Sequence, residues 1–191
     1  MEQHNLEDLF KRLDHLLESK DRVLVAIDGY SGSGKSSLAA LLQQKYDCNL
    51  FHMDDFFLQE HQRTPERLLE PGGNVDYERF LNEVLLPLSE GRAFEYRIFD
   101  CQSMAFTDTV RIQAKRLNII EGSYSHHPSL KSNYDLTVFL NITPEEQSQR
   151  ILERNGPFMH HRFLKEWIPL ENHYFETLKI KENSDFVLSL R

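Results

Sequence analysis

At 191 residues with 40% apolar side chains, the chain has the length and the core material of one domain, taken here as residues 1–191. Thirty acidic against 22 basic residues give a net charge of -8, which argues against a duplex nucleic acid or an anionic membrane as partner, since both need a basic face. No apolar run exceeds the length of Val23 to Ile27, far short of the roughly 18 residues of a membrane span, and Cys48 and Cys101 lack metal-ligand or disulfide-framework spacing. A soluble, cytoplasmic protein is expected, with no nucleic acid or membrane partner and with homo-oligomerisation left open.

Along residues 1–20, Leu6, Leu9, Phe10, Leu13, Leu16 and Leu17 recur at three- and four-residue steps, the stripe of an amphipathic helix. Val23 to Ile27 then reads as a strand buried on both faces, bounded by Asp28 and Gly29. Further strands are expected at Asn49–Met53, Leu117–Ile120 and Leu136–Leu140. Helices are expected at Lys35–Lys45, Tyr77–Leu86, Pro144–Arg154 and Phe163–Leu178. Such alternation indicates an α/β fold with a mainly parallel sheet. Gln62–Asn74, punctuated by Pro65, Pro71, Gly72 and Gly73, reads as a substrate-side loop, and Phe94–Phe99 with Thr107–Ile112 as a small projecting hairpin. Trp167-Ile-Pro169 is expected to mark a bend and a packing anchor, and the His126-His127 and His160-His161 pairs to be packed or solvated rather than metal ligands.

Chemistry concentrates first in Gly29-Tyr30-Ser31-Gly32-Ser33-Gly34-Lys35-Ser36, a complete G-x-x-x-x-G-K-[ST] loop between a strand and a helix, followed by Ser37. Its glycines let backbone N–H groups turn toward phosphate oxygens, Lys35 reaches the β/γ-phosphates, and the Ser36 hydroxyl can ligate Mg²⁺. After the second strand, Asp54 can take a proton from an attacking hydroxyl and Asp55 can orient Mg²⁺ or water; alternatively both cap a turn. Glu121, closing the Leu117–Ile120 strand, is a third carboxylate suited to Mg²⁺. Three carboxylates beside a polyphosphate make electrostatic sense with a divalent cation between them, so ATP and Mg²⁺ are expected together. Phe56, Phe57 and Tyr96 are candidates to stack on a flat substrate, or else core.

These motifs, with Asp76 in Asn74-Val-Asp-Tyr77, Ile119-Ile-Glu-Gly122 and the helix around Arg150 and Arg154, resemble the uridine kinase and phosphoribulokinase group of P-loop kinases, including nicotinamide riboside kinases, over Val23 to Phe175. The resemblance implies a P-loop NTPase fold with a five-stranded parallel sheet flanked by helices and a lid near residues 144–162. It implies Asp54 as base, Asp76 on sugar hydroxyls, Tyr96 at the acceptor, and Arg150 or Arg154 over the phosphates. Cys101 stands where uridine kinases carry a His that contacts the pyrimidine. The expected reaction is ATP-dependent phosphorylation of a small-molecule hydroxyl, a nucleoside 5′-hydroxyl first, with nicotinamide riboside, pantothenate or another polyhydroxylated metabolite as alternatives. A nucleotide-dependent switch is the competing class, although no N-K-x-D guanine-reading tetrapeptide occurs.

Overall fold

The computed structural model describes residues 5–190; positions 1–4 and 191 of the expected domain and N-terminal helix lie outside the described residues. Helix α1 (Leu6–Ser19) starts at a capping box in which Asn5 and Asp8 exchange side-chain and backbone hydrogen bonds, and it buries Leu9, Leu13 and Leu16. Strand β1 (Val23–Gly29) runs two residues beyond the apolar run and is buried throughout, Asp28 included. After it come α2 (Lys35–Lys45), β2 (Cys48–His52) and the short α3 (Pro65–Leu69). Next, α4 (Tyr77–Phe80) continues through a π-type turn at Leu81–Leu85 into α5 (Leu86–Glu90). The chain is completed by β3 (Phe94–Asp100), β4 (Ala105–Ile112), β5 (Leu117–Glu121), α6 (Pro128–Lys131), β6 (Leu136–Leu140), α7 (Pro144–Arg162), α8 (Ile168–Thr177) and β7 (Phe186–Leu188).

Five parallel strands in the order β2-β5-β1-β6-β7 form the sheet, and β3 and β4 pair antiparallel as the expected hairpin. One face of the sheet packs Leu9, Leu13, Leu38 and Leu42 from α1 and α2 against Val25, Ile119 and Val138; the other packs Phe80, Tyr174 and Phe175 against Phe51 and Phe139. The five strands of the main sheet therefore point the same way, and their carboxyl ends lie along one edge, where ligands of such sheets collect. Among the described residues no helix is long and apolar enough to cross a membrane.

Several local expectations are corrected. Strand β2 ends at His52, one residue short of the expected Met53, and Met53–Phe56 is a 3₁₀ turn that carries both Asp54 and Asp55. Helix α7 is broken at Gly156 (φ 74°, ψ 171°) before Pro157, which has no backbone N–H to continue the ladder; the expected end near Arg154 holds, and helix resumes ahead of the expected start at Phe163. Around Trp167 the expected bend is instead a π-type turn, Phe163–Trp167, that carries the helix on into α8. Trp167 is half-buried, with Phe163 4.6 Å away between ring centres and the Arg162 guanidinium 4.8 Å from its ring centre. The short β7 lacked a signal of its own, since three residues after a polar loop show no period.

Candidate active site

The loop Gly29–Ser36 leaves the carboxyl end of β1 and enters α2 through Gly34, held in the left-handed region (φ 99°). Gly29 is required by space as well as by φ (141°): a β-carbon there would sit 2.2 Å from the Leu140 carbonyl oxygen on the neighbouring strand. Tyr30 packs edge-on between Phe139 and Phe175, which pins the loop's entrance to the core. Lys35 folds back so that Nζ donates to the Gly29 and Tyr30 carbonyls (2.8 and 3.1 Å), a loosely exchanged arrangement for a cation at a phosphate loop. The Ser33 hydroxyl is buried and meets no protein partner, the sort of orphan that a phosphate oxygen or a water would satisfy. Ser37 sits in the first turn of α2.

The structure brings Ser36 and Glu121 together: the Ser36 hydroxyl lies 3.3 and 3.4 Å from the two carboxylate oxygens of Glu121, at the ends of β1's loop and β5. His52, closing β2, holds the other side of that carboxylate through Nδ1 at 2.6 Å, and this hydrogen bond raises the imidazole's affinity for its proton against the opposing effect of burial. Register explains the meeting, because His52 and Glu121 are paired neighbours on parallel strands. Hydroxyl and carboxylate oxygens are hard donors that fit Mg²⁺, which is commonly held by one or two protein oxygens with phosphates and waters completing the shell. No cluster of three or more His, Cys, Asp or Glu suited to a metal occurs among the described residues.

Asp54 opens to solvent beyond the carboxyl end of β2, yet the protein packed around it raises its carboxyl above the ordinary Asp range; Lys35 opposes that rise, Glu121 adds to it, and His52 and Arg154 oppose it. Those four side chains set the electrostatic field at Asp54. Asp55 has a partner of its own: the Tyr96 hydroxyl donates to its carboxylate at 3.2 Å. Tyr96 itself is 3% exposed and lies between Phe51 and Phe56, and Phe56 is fully buried against Phe80. Neither ring offers a free face, which corrects the stacking option for both. Asp76 caps α4 by accepting the Arg79 N–H (2.9 Å) and also accepts from Gln62 Nε2 (2.9 Å), so both oxygens already have donors. Of the two arginines expected over the phosphates, Arg150 is tied to the Gly32 and Leu190 carbonyls, whereas Arg154 is exposed and bonds neighbouring Asn155.

Besides His52, several site residues carried no sequence assignment. Asp28 is fully buried and collects four donors: Gly29 N–H (2.7 Å) and Tyr124 N–H (3.2 Å) on one oxygen, His126 N–H and the Tyr174 hydroxyl (both 2.9 Å) on the other. Tyr124, held by that carboxylate, adopts φ 74°, a strained value for a non-glycine residue, beside Asn74 and within the field of Asp54. Glu171 from α8 binds Ser31 and Ser123. An acidic residue embedded in an otherwise apolar strand immediately before the loop was the available signal for Asp28. The paired histidines are packed, as expected for residues 126 and 127: His126 bonds the Ala26 carbonyl and His127 stacks on Tyr77.

Superposition on solved structures gives TM-scores of 0.67 with a protein described as a possible uridine kinase from Bacillus stearothermophilus and 0.69 with one provisionally described as a fructose transport system kinase from Silicibacter. The first is 22% identical and covers 95% of this chain and 100% of that one; the second is 23% identical and covers 96% and 98%. The chain has the fold of the P-loop kinases. In sequence it is 27% identical over 148 residues to a probable gluconokinase of Xenopus tropicalis, 72% of each chain. It is 29% identical over 162 residues to a bifunctional alpha-galactosidase/sucrose kinase of Mediterraneibacter gnavus, covering 72% of this chain and only 17% of that relative. No family model matches.

Proposed function

We propose that this chain is an ATP-dependent kinase that phosphorylates a hydroxyl of a small polyhydroxylated metabolite. The carrying observation is the convergence of Ser36, Glu121 and His52 on one bonded cluster beside the phosphate-binding loop, with Asp54 in the electrostatic reach of Lys35 and Glu121. Bound at the Ser36 and Glu121 oxygens, Mg²⁺ would neutralise charge on the ATP phosphates. Loop N–H groups and Lys35 orient the γ-phosphoryl group, and Arg154 lies on the lid where it can screen the same charge. Asp54 accepts the acceptor's hydroxyl proton as the acceptor oxygen bonds to phosphorus and the bond to the β-phosphate bridging oxygen breaks, releasing ADP. The raised Asp54 carboxyl suits a base whose driving force for taking that proton is larger than an ordinary aspartate's.

A polyol is favoured over a nucleoside by the burial of Tyr96 and Phe56, which withdraws two stacking faces, and by Cys101 at the pyrimidine-contact position. Hydrogen-bonding groups are at hand instead in the half-buried amides of Gln62, bonded to Asp76, and Asn74, beside Tyr124. The names of the sequence relatives, gluconokinase and sucrose kinase, point the same way. Both cysteines are free thiols, in keeping with the reducing cytoplasm. The test is coupled ADP release with Mg·ATP over sugars, sugar acids, nucleosides, nicotinamide riboside and pantothenate. Turnover confined to sugars or sugar acids is expected; preferential turnover of nucleosides would return the acceptor to the uridine kinase pattern, and no acceptor-dependent ADP release would reject the kinase reading.

A further inference from the structure

Ser31, in the middle of the phosphate-binding loop, is gripped from two helices at once. Gln147 of α7 donates from Nε2 to the Ser31 carbonyl at 3.0 Å. Opposite, the Glu171 carboxylate of α8 accepts the Ser31 N–H at 3.0 Å and the Ser31 hydroxyl at 2.5 Å. The same carboxylate accepts the Ser123 hydroxyl at 2.8 Å, just beyond the Glu121-Gly122 turn. Gln147 and Glu171 are both nearly fully buried. Between them the chain passes through the whole lid: the break at Gly156, the helical turn ending at Arg162, and the π-type turn at Phe163–Trp167.

Glu171 forms no ion pair among the described residues, and its charge lies against a loop built to bind anions. Electrostatically it opposes a polyphosphate on that loop, so its presence is not explained by nucleotide affinity. A buried carboxylate is tolerated when donors satisfy it, and here every donor belongs to the loop or to the turn after Glu121. What the arrangement provides is geometry. Ser31 is the common point at which the stem entering the lid and the stem leaving it are tied together.

We infer that Glu171 is a positioning residue which, with Gln147, clamps Ser31 so that nucleotide on the loop is transmitted to the lid segment 156–167. The inference rests on the proposed nucleotide-binding role of the loop. When phosphate orders the loop, both lid stems are held at a fixed separation, and the Gly156 break is where the intervening segment can close over the site. A merely structural Glu171 would lower stability and nucleotide affinity together without singling out the lid.

The experiment is amide hydrogen exchange on wild type, Glu171→Gln and Gln147→Ala, each with and without Mg²⁺ and a non-hydrolysable ATP analogue, together with calorimetric analogue affinity. Gln147→Ala covers the case in which Glu171→Gln does not fold. The analogue is expected to slow exchange at residues 29–36 in all folded variants, but at 156–167 at least about fivefold less in either variant than in wild type. Analogue affinity of Glu171→Gln is expected to stay level or tighten a few-fold, since a repelling charge is removed. Equal slowing of the lid in wild type and variants, or loss of affinity in step with loss of lid slowing, would overturn the clamp. Slowing at 29–36 without any at 156–167 in wild type would also overturn it alone, whereas no slowing at 29–36 in wild type would overturn the nucleotide reading and the clamp with it.

Discussion

Replacing Asp28 by Asn tests whether the buried carboxylate organises the loop and its surroundings. Asp28 satisfies three backbone N–H groups and one hydroxyl in a fully buried setting. An Asn can keep its oxygen toward Gly29 and Tyr124 and turn its NH₂ toward Tyr174, whose hydroxyl then accepts instead of donating. The His126 N–H cannot reverse, so one buried donor is orphaned at about 1–3 kcal/mol, and the surviving bonds lose their charge assistance. We expect a net loss of about 2–4 kcal/mol, a large part of a typical domain's stability. For a chain of this size that corresponds to a fall in Tm of very roughly 4–16 °C, read by thermal and urea unfolding. Tyr174→Phe, which removes only the reversible partner, should cost less than Asp28→Asn. A loss below 1 kcal/mol for Asp28→Asn, or a larger loss for Tyr174→Phe, would refute the four-donor account.

Lys35→Ala and Ser36→Ala should each impair Mg·ATP use while the unfolding midpoint stays near wild type, and Ser36→Ala should raise the Mg²⁺ needed for half-maximal rate, measured by ADP release under Mg²⁺ titration. Gly29→Ala should destabilise by about 3 kcal/mol or more, because its β-carbon meets the Leu140 carbonyl and its φ is strained; a soluble variant with normal urea unfolding would contradict this. Asp54 has a folded-state pKa above its unfolded value, so its ionisation weakens the fold as pH rises from the unfolded pKa through the folded one. Asp54→Asn should therefore raise Tm at pH 7 and show a smaller advantage once the pH falls below the unfolded pKa of Asp, as followed by thermal melts across pH.

The sheet and the phosphate-binding loop were legible because their signals are local. A continuous apolar run gives β1, exact apolar bounds give β6, and the glycine spacing with Lys35 and Ser36 gives the loop and the start of α2. Segments whose form depends on tertiary contacts were not. The 3₁₀ turn carrying Asp54 and Asp55 follows from Asp76 N–H bonding the Phe56 carbonyl and Arg79 bonding the Asp55 carbonyl, partners some 20 residues away. Glu171, Gln147 and Tyr124 reach the site from distant positions on the chain, and nothing in their own neighbourhoods marks them. Arg150 and Arg154, one helical turn apart, look alike in sequence; only the fold shows one fastened to the loop and the other facing outward.

The central claim is that Asp54 is the base for phosphoryl transfer to an acceptor hydroxyl, and steady-state kinetics of Asp54→Asn against the best acceptor test it most directly. Asn preserves shape and removes the proton-accepting charge, so kcat should fall by at least ~10²-fold while ATP affinity, set by the loop, Lys35 and Ser36, changes little. Near-normal kcat in Asp54→Asn would contradict the account.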